Sequence, residues 1–182
     1  MIRSILCIIY NVFRTALGKL LHPGRFRIAW IQRLSPRCSL RVFGRGSIWI
    51  GRNCDAAPYC NFEAHNQGVL TIGAGCFFNR YCMISAQEQV TIGDRCLFGP
   101  GVRIFDNNHR HSPETGVEQA LTTAPISIGD GCWIASDVII LKGAKIGKNC
   151  VIGAGCIVSG AVPDGSVVRV SQTLEIRSRI ER

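Results

Sequence analysis

From about Ile72 onward the chain places a large aliphatic or aromatic residue at every sixth position. The series runs Ile72, Phe78, Ile84; Ile92, Phe98, Ile104; Ile128, Ile134, Ile140; and Ile146, Ile152, Val158. Two positions before each there is usually a small residue, and Gly or a short polar residue often follows. Cys132-Trp133-Ile134-Ala135 and Cys150-Val151-Ile152-Gly153 show the unit. Residues two apart lie on one face of a strand, so each unit points one small and one large side chain inward. Three such units close a triangular coil. Coils stacked about 4.8 Å apart let each backbone group pair with the coil above or below. The pattern predicts a parallel β-helix with three strands per coil.

This reading explains the ten cysteines. Cys54, Cys60, Cys76, Cys82, Cys96, Cys132, Cys150 and Cys156 take the small inward position, where a thiol serves as a small hydrophobe; Cys7 and Cys38 stand outside the pattern. Zinc clusters need closely spaced pairs, so no metal is expected. The residues between the inward positions face out. On the first face they are Thr71, Thr91, Ser127 and Lys145. On the second they are Phe77, Leu97, Trp133 and Val151, and on the third Met83, Arg103, Ile139 and Ile157. Two faces thus carry mostly apolar columns. Such columns mark an interface, and a homotrimer about a threefold axis is the expectation.

The repeat is interrupted twice. Ala86 to Thr91 adds two residues, and after Ile104 about eighteen more intervene before Ile126-Ser127-Ile128-Gly129. The long excursion, residues 105–125, begins Phe105-Asp106-Asn107-Asn108-His109-Arg110-His111 and holds two of the four histidines. A polar excursion on a rigid scaffold is a natural place for a site.

The N-terminal segment is different. Residues 2–21 have helical periodicity, with Ile5, Leu6, Ile8, Ile9, Val12, Phe13, Ala16, Leu17, Leu20 and Leu21 on a wide apolar face, and Pro23-Gly24 ends the helix. Residues 1–54 hold ten Lys/Arg and no acid, so the net charge of +9 is concentrated there. Two readings stay open: an interfacial helix held on anionic lipid, or a cap over the open end of the β-helix. No apolar run reaches the ~20 residues of a membrane span, and no cleavage site follows Ile5 to Tyr10. A cytoplasmic location is expected, with peripheral attachment to the inner face of the cell membrane as the variant. No aromatic or groove-reading motif points to nucleic acid. The divisions expected are 1–45 for helix and linker, 46–168 for the β-helix, and 169–182 for a tail.

Several runs carry a family resemblance. They are Val90-Thr91-Ile92-Gly93-Asp94 with His109 fifteen residues on, Pro125 through Ile134, and Val151-Ile152-Gly153-Ala154-Gly155-Cys156-Ile157-Val158 followed by Val162-Pro163. Across residues 70–165 the chain resembles the galactoside, maltose and nodulation-type O-acetyltransferases of the hexapeptide-repeat superfamily. That resemblance implies left-handed winding, against the usual right-handed crossover. It also implies acetyl-CoA as co-substrate and a saccharide acceptor, such as a cell-surface polysaccharide or its precursor. His109 becomes the general base that removes a hydroxyl proton, with His111 as runner-up. Asp106, Glu114 and Glu118 are candidates to orient it. Asn79 aligns near the acceptor and acyl group; read on its own it is equally a turn residue.

The same resemblance places CoA in a groove between subunits, against Ala135, Ser136, Gly153 and Ala154 with Trp133 nearby. Ser159 and Gly160 stand where relatives carry Thr-Lys, and Val167 to Gln172 departs from their Gly-x-Pro-Ala-like tail. Arg169 or Lys142 would then supply the missing cation for the nucleotide end. Alternatives of other classes are N-acylation of an amino sugar or small molecule, a zinc carbonic anhydrase and a non-catalytic trimeric scaffold. The anhydrase needs three ligating histidines, and His65, His109 and His111 lack its spacing.

Overall fold

The structure, a computed structural model, describes residues 2–171. Short parallel strands stack into three sheets, as the six-residue pattern predicts. The first face stacks Phe26–Ile28, Ser47–Ile50, Val69–Ile72, Gln89–Ile92, Ile126–Ile128, Lys145–Ile146 and Ala161–Val162. The second runs from Arg33–Leu34 to Val167–Val168 and the third from Ser39–Val42 to Ile157–Val158. Registers are those of a stacked repeat: Thr91 sits beside Thr71 and Ser127, and Trp133 beside Leu97 and Val151.

The core is the inside of the prism. Phe62, Phe78 and Phe98 are fully buried, and the last two rings lie parallel at 4.5 Å. Each such side chain contributes roughly 1.5–3 kcal/mol by leaving water. All eight cysteines expected inside are buried. Cys38 is buried too, and its place outside the pattern needs correcting. The pairing of Ser39 with Asn61 sets Cys38 on Cys60, and that of Asn61 with Met83 sets Cys60 on Cys82. Cys54, Cys76, Cys96, Cys132 and Cys150 form a second column. These thiols are more than space-fillers. Each of the five donates to a carbonyl of the next coil, from Cys54 Sγ to Gly73 O at 3.1 Å to Cys150 Sγ to Pro163 O at 3.0 Å. Gln32 heads the column: its amide donates to Ala29 O and Gly51 O and accepts from Cys54 N.

The β-helix starts at Phe26, upstream of the boundary drawn at residues 45/46. Its first coils have another period. Phe26 pairs with Ile48 and Ile48 with Leu70, a repeat of 22 residues, where Ser127 to Lys145 is 18. The additions all fall at the corner between third and first faces. The step across it is ten residues from Leu40 to Ile50, ten from Phe62 to Ile72 and eight from Ile84 to Ile92. It is twenty-four from Ile104 to Ile128, against six at the other two corners. The stretch assigned as a tail, 169–182, lies outside the described residues beyond Ser171.

The N-terminal helix, Ile2–Leu21, lies over the open end of the first coil. Asn11 Nδ2 donates to Leu34 O at 2.7 Å and Arg14 Nη1 to Cys38 O at 3.0 Å. Gly18 lets the helix settle, because a Cβ there would run into the Phe26 ring.

Burial shields the core thiols from reagents, and it also pushes the Cys132 thiol up to about 11, away from the reactive thiolate. Ellman's reagent should titrate at most the half-buried Cys7 in the native protein and all ten cysteines in guanidinium. Rapid native labelling of several thiols would refute this packing.

Candidate active site

The long excursion is a β-hairpin. Asn107–Ser112 pairs antiparallel with Gly116–Thr123, and the register shifts between His109 and His111. The sequence around the turn accounts for it. Ser112 accepts from Thr115 N, and Gly116 takes a φ of 69° that Gly adopts freely.

Asp106 anchors the base of the hairpin and is fully buried. Its carboxylate accepts from the backbone N–H groups of Gln87, Glu88 and Gln89 at 2.8 Å each. Those three residues are the smaller interruption, so the two breaks in the repeat are clamped together. Asp106 is therefore committed to holding the hairpin and does not orient a histidine.

His109 is exposed, and its Nδ1 lies 3.0 Å from the Glu118 backbone oxygen. A carbonyl only accepts, so Nδ1 carries the proton. Nε2 is then the free basic nitrogen. The partner is a main-chain atom, not one of the acids named from sequence. The Glu118 carboxylate accepts instead from Thr115 Oγ1 at 3.2 Å. Hydrogen bonds from Ser112 and its own backbone lower the pKa of the exposed Glu114. Neither acid's side chain is placed on the imidazole.

Beside His109 is a cavity of about 240 Å³, lined by Asn108, His109, Arg110, His111, Thr122 and Lys142. Lys142 follows the strand Ile139–Leu141, and the pairing of Phe105 with Leu141 places it over Asp106. Ser159 and Gly160 lie one coil further along the same corner, since Ile140 pairs with Val158. Asn108, Arg110 and Thr122 were not singled out in the sequence; only the hairpin register reveals them.

The other candidates gather elsewhere. Asn79, Gly99, Ala135, Gly153 and Arg169 form one column, the residues just after the second-face strands. Ser136 and Ala154 are the next residues along, and Trp133 stands on the second face, 53% exposed. The column is lined with small side chains and packed tightly: a Cβ on Gly99 would meet Ser136 N at 2.6 Å. Asn79 Oδ1 accepts from Arg80 N at 2.8 Å, as a turn residue does. None of these residues lines the cavity at His109. The two groups sit on opposite edges of the third face, separated by a strand of three residues, roughly 10 Å.

A family model described as bacterial transferase hexapeptide (six repeats) matches residues 125–160. Residues 125–160 thus carry the six-residue repeat that this model describes. The matched residues are the fifth and sixth coils and exclude the hairpin. Among curated proteins, galactoside O-acetyltransferase of Lactococcus lactis is 37% identical over 78 residues, 43% of this chain and 38% of that protein. A putative colanic acid biosynthesis acetyltransferase of Escherichia coli is 30% identical over 93 residues, 51% of this chain and 50% of that one. The chain thus spans half or less of the length of these two relatives. Among solved structures, a hexapeptide-repeat acetyltransferase of Vibrio cholerae complexed with acetyl-CoA has a TM-score of 0.57 and 26% identity. That match covers 66% of this chain and 64% of the other.

Replacing Asp106 with Ala leaves three N–H groups without their acceptor. We expect a loss of about 2 kcal/mol, or a Tm lower by about 4–8 °C. Thermal unfolding measures it, and an unchanged Tm would contradict the clamp.

Proposed function

We propose that this protein transfers an acetyl group from acetyl-CoA to a hydroxyl of a saccharide, as part of building a cell-surface polysaccharide. The observation that carries the reading is the tautomer of His109, fixed by the Glu118 carbonyl with Nε2 free beside an open cavity. The hexapeptide match and the likeness to sugar acetyltransferases support it.

Acetyl-CoA supplies the thioester carbonyl that the acceptor attacks. A sugar hydroxyl is a poor nucleophile near neutral pH. His109 Nε2 accepts its proton as the oxygen bonds to the carbonyl carbon, and returns a proton to the departing CoA sulfur. The Glu118 carbonyl keeps accepting from Nδ1–H and so stabilises the transient imidazolium. Lys142 holds positive charge at the cavity wall, where negative charge develops on the carbonyl oxygen. The small-residue edge at Ala135, Ser136, Gly153 and Ala154 fits a slender pantetheine arm, with Trp133 beside it and Arg169 at the end of the column.

His109 and that edge lie on different sides of one chain. The proposed active unit is therefore a homotrimer in which one subunit's hairpin faces a neighbour's small-residue edge. Exposed apolar columns support it: Phe77, Leu97, Trp133 and Val167 on the second face, and Ile157 on the third.

Two measurements test these statements. With acetyl-CoA and a panel of oligosaccharides, His109→Ala should lower kcat by about 10²–10⁴. Glu118→Gln, which keeps the carbonyl, should change it less than about threefold by the same reasoning. Full turnover by the His109 variant would refute the base, and transfer only to amino sugars would replace O-acylation by N-acylation. Separately, sedimentation equilibrium should give three times the 19.9 kDa chain mass, and Trp133→Glu should dissociate the assembly. A monomer at micromolar concentration would rule out the shared site.

A further inference from the structure

The N-terminal helix is inside out relative to an ordinary surface helix. The side resting on the β-helix is polar: Asn11 and Thr15 are 1% and 3% exposed, with Cys7, Arg14, Gly18 and His22 half-buried along the same side. The side turned away carries Ile5, Leu6, Ile9, Tyr10, Val12, Phe13, Ala16, Leu17, Leu20 and Leu21, all exposed and none charged. Leu20 is 77% and Phe13 71% exposed.

Capping alone accounts for the polar side. The first coil has no neighbour above it, and Asn11, Cys7 and Arg14 satisfy the carbonyls of Leu34 and Cys38 that would have paired with one. Capping leaves the apolar side unexplained. An outer surface with ten apolar side chains over five turns is unfavourable in water.

The charge around the helix says what covers it. Ten Lys/Arg and no acid lie in residues 1–54, so every ionisable side chain of the first coil and its lead-in is basic or a thiol, apart from His22 and Tyr10. Lys19 flanks the apolar side with its ammonium 4.1 Å from the Trp30 ring, and Trp30 and Ile31 are themselves exposed. Arg25 and Arg27 follow the helix after His22-Pro23-Gly24. Arg33 and Arg41 pair with Asp55 and Glu63 of the second coil, but the helix and its lead-in to Arg27 carry only basic charge. An apolar plane with a lysine and an indole at its edge matches the boundary between acyl chains and anionic headgroups. A protein partner of ordinary composition has no need of so one-sided a charge. No helix among the described residues is long and apolar enough to cross a membrane.

We propose that the outer side of helix Ile2–Leu21 docks the protein, end-on, onto an anionic lipid bilayer. The prism then stands on the membrane with its capped end down. Side-by-side packing of prisms leaves that end free, so subunit contacts and lipid contacts do not compete.

The test uses the full chain and sedimentation with vesicles of phosphatidylcholine alone or with one quarter phosphatidylglycerol. Binding should be at least tenfold greater to the anionic vesicles and should weaken at 0.5 M NaCl. The double variant Phe13→Glu, Leu20→Glu should lose at least tenfold in vesicle binding. Both sites point outward, so its far-UV circular dichroism and Tm should match the parent. Equal binding by parent and variant would overturn the proposal. So would a parent that ignores anionic vesicles yet forms larger assemblies that the variant abolishes, since the occupant would then be a second copy. The readout needs no acetyl transfer, so its outcome is independent of the proposed activity.

Discussion

Each coil of this protein must hand its backbone hydrogen bonds to the next at a fixed spacing, and nearly every other feature follows from that constraint. Strands of two to four residues have no stability of their own. They exist because Phe77 N reaches Cys96 O, Leu97 N reaches Cys132 O, and Trp133 N reaches Cys150 O, in an unbroken ladder. The ladder forces inward side chains into columns, and columns admit residues whose apolar side chains stack closely on the coil above and below. Isoleucine on isoleucine and phenylalanine on phenylalanine satisfy this. Cysteine does so as well, with a thiol small enough for the corner and able to donate to the next coil's carbonyl.

The same ladder decides where the chain is free to vary. Two of the three corners keep a six-residue step throughout, because one added residue would turn the following strand's inward side out. The corner from third to first face is the exception. There the chain leaves the prism for four extra residues, then four, then two, then eighteen. The excursions stack on one another. Phe43 lies flat on His65 at 4.6 Å, and Asp106 gathers the N–H groups of residues 87–89. The hairpin that holds His109 is the last and largest member of this ridge, and it is rigid at its base because the ridge beneath it is ordered.

What the sequence revealed follows the same division. Periodicity of six exposes the core wherever the corner steps are six, so the fifth and sixth coils, most of the cysteines and all three outward columns could be read directly. It fails upstream of Ile48, where a 22-residue repeat and Ala29 in the column of Gly51 and Gly73 hide the first coil and Cys38 with it. At the site, His109 could be named from its place in the excursion and from family likeness. Its partner could not, because the acceptor is the main-chain oxygen of Glu118, and a side-chain search finds only the carboxylates nearby. The orientation of the N-terminal helix was equally hidden. Its apolar stripe is plain in the sequence, but which way the stripe points depends on the unpaired carbonyls of the first coil.

The division of candidate residues between two edges of the third face is itself a consequence of the prism. Asn79, Ala135 and Gly153 share a column because they share a register, and no motion short of breaking the ladder can carry them across the strand to His109. Acyl transfer needs the base, the hydroxyl and the carbonyl within about 3–3.5 Å of one another. A flexible single chain meets such a demand by folding one element over another; a solenoid cannot. It can meet it by setting the edge of one prism against the ridge of a second. The third face between them bears Met83, Ile139 and Ile157, with one arginine, Arg103, among them, and the outward column of the neighbouring second face is apolar from Phe77 through Leu97, Trp133 and Val151 to Val167. The rigidity that makes the columns legible in the sequence is thus the same property that argues for a site built from more than one chain.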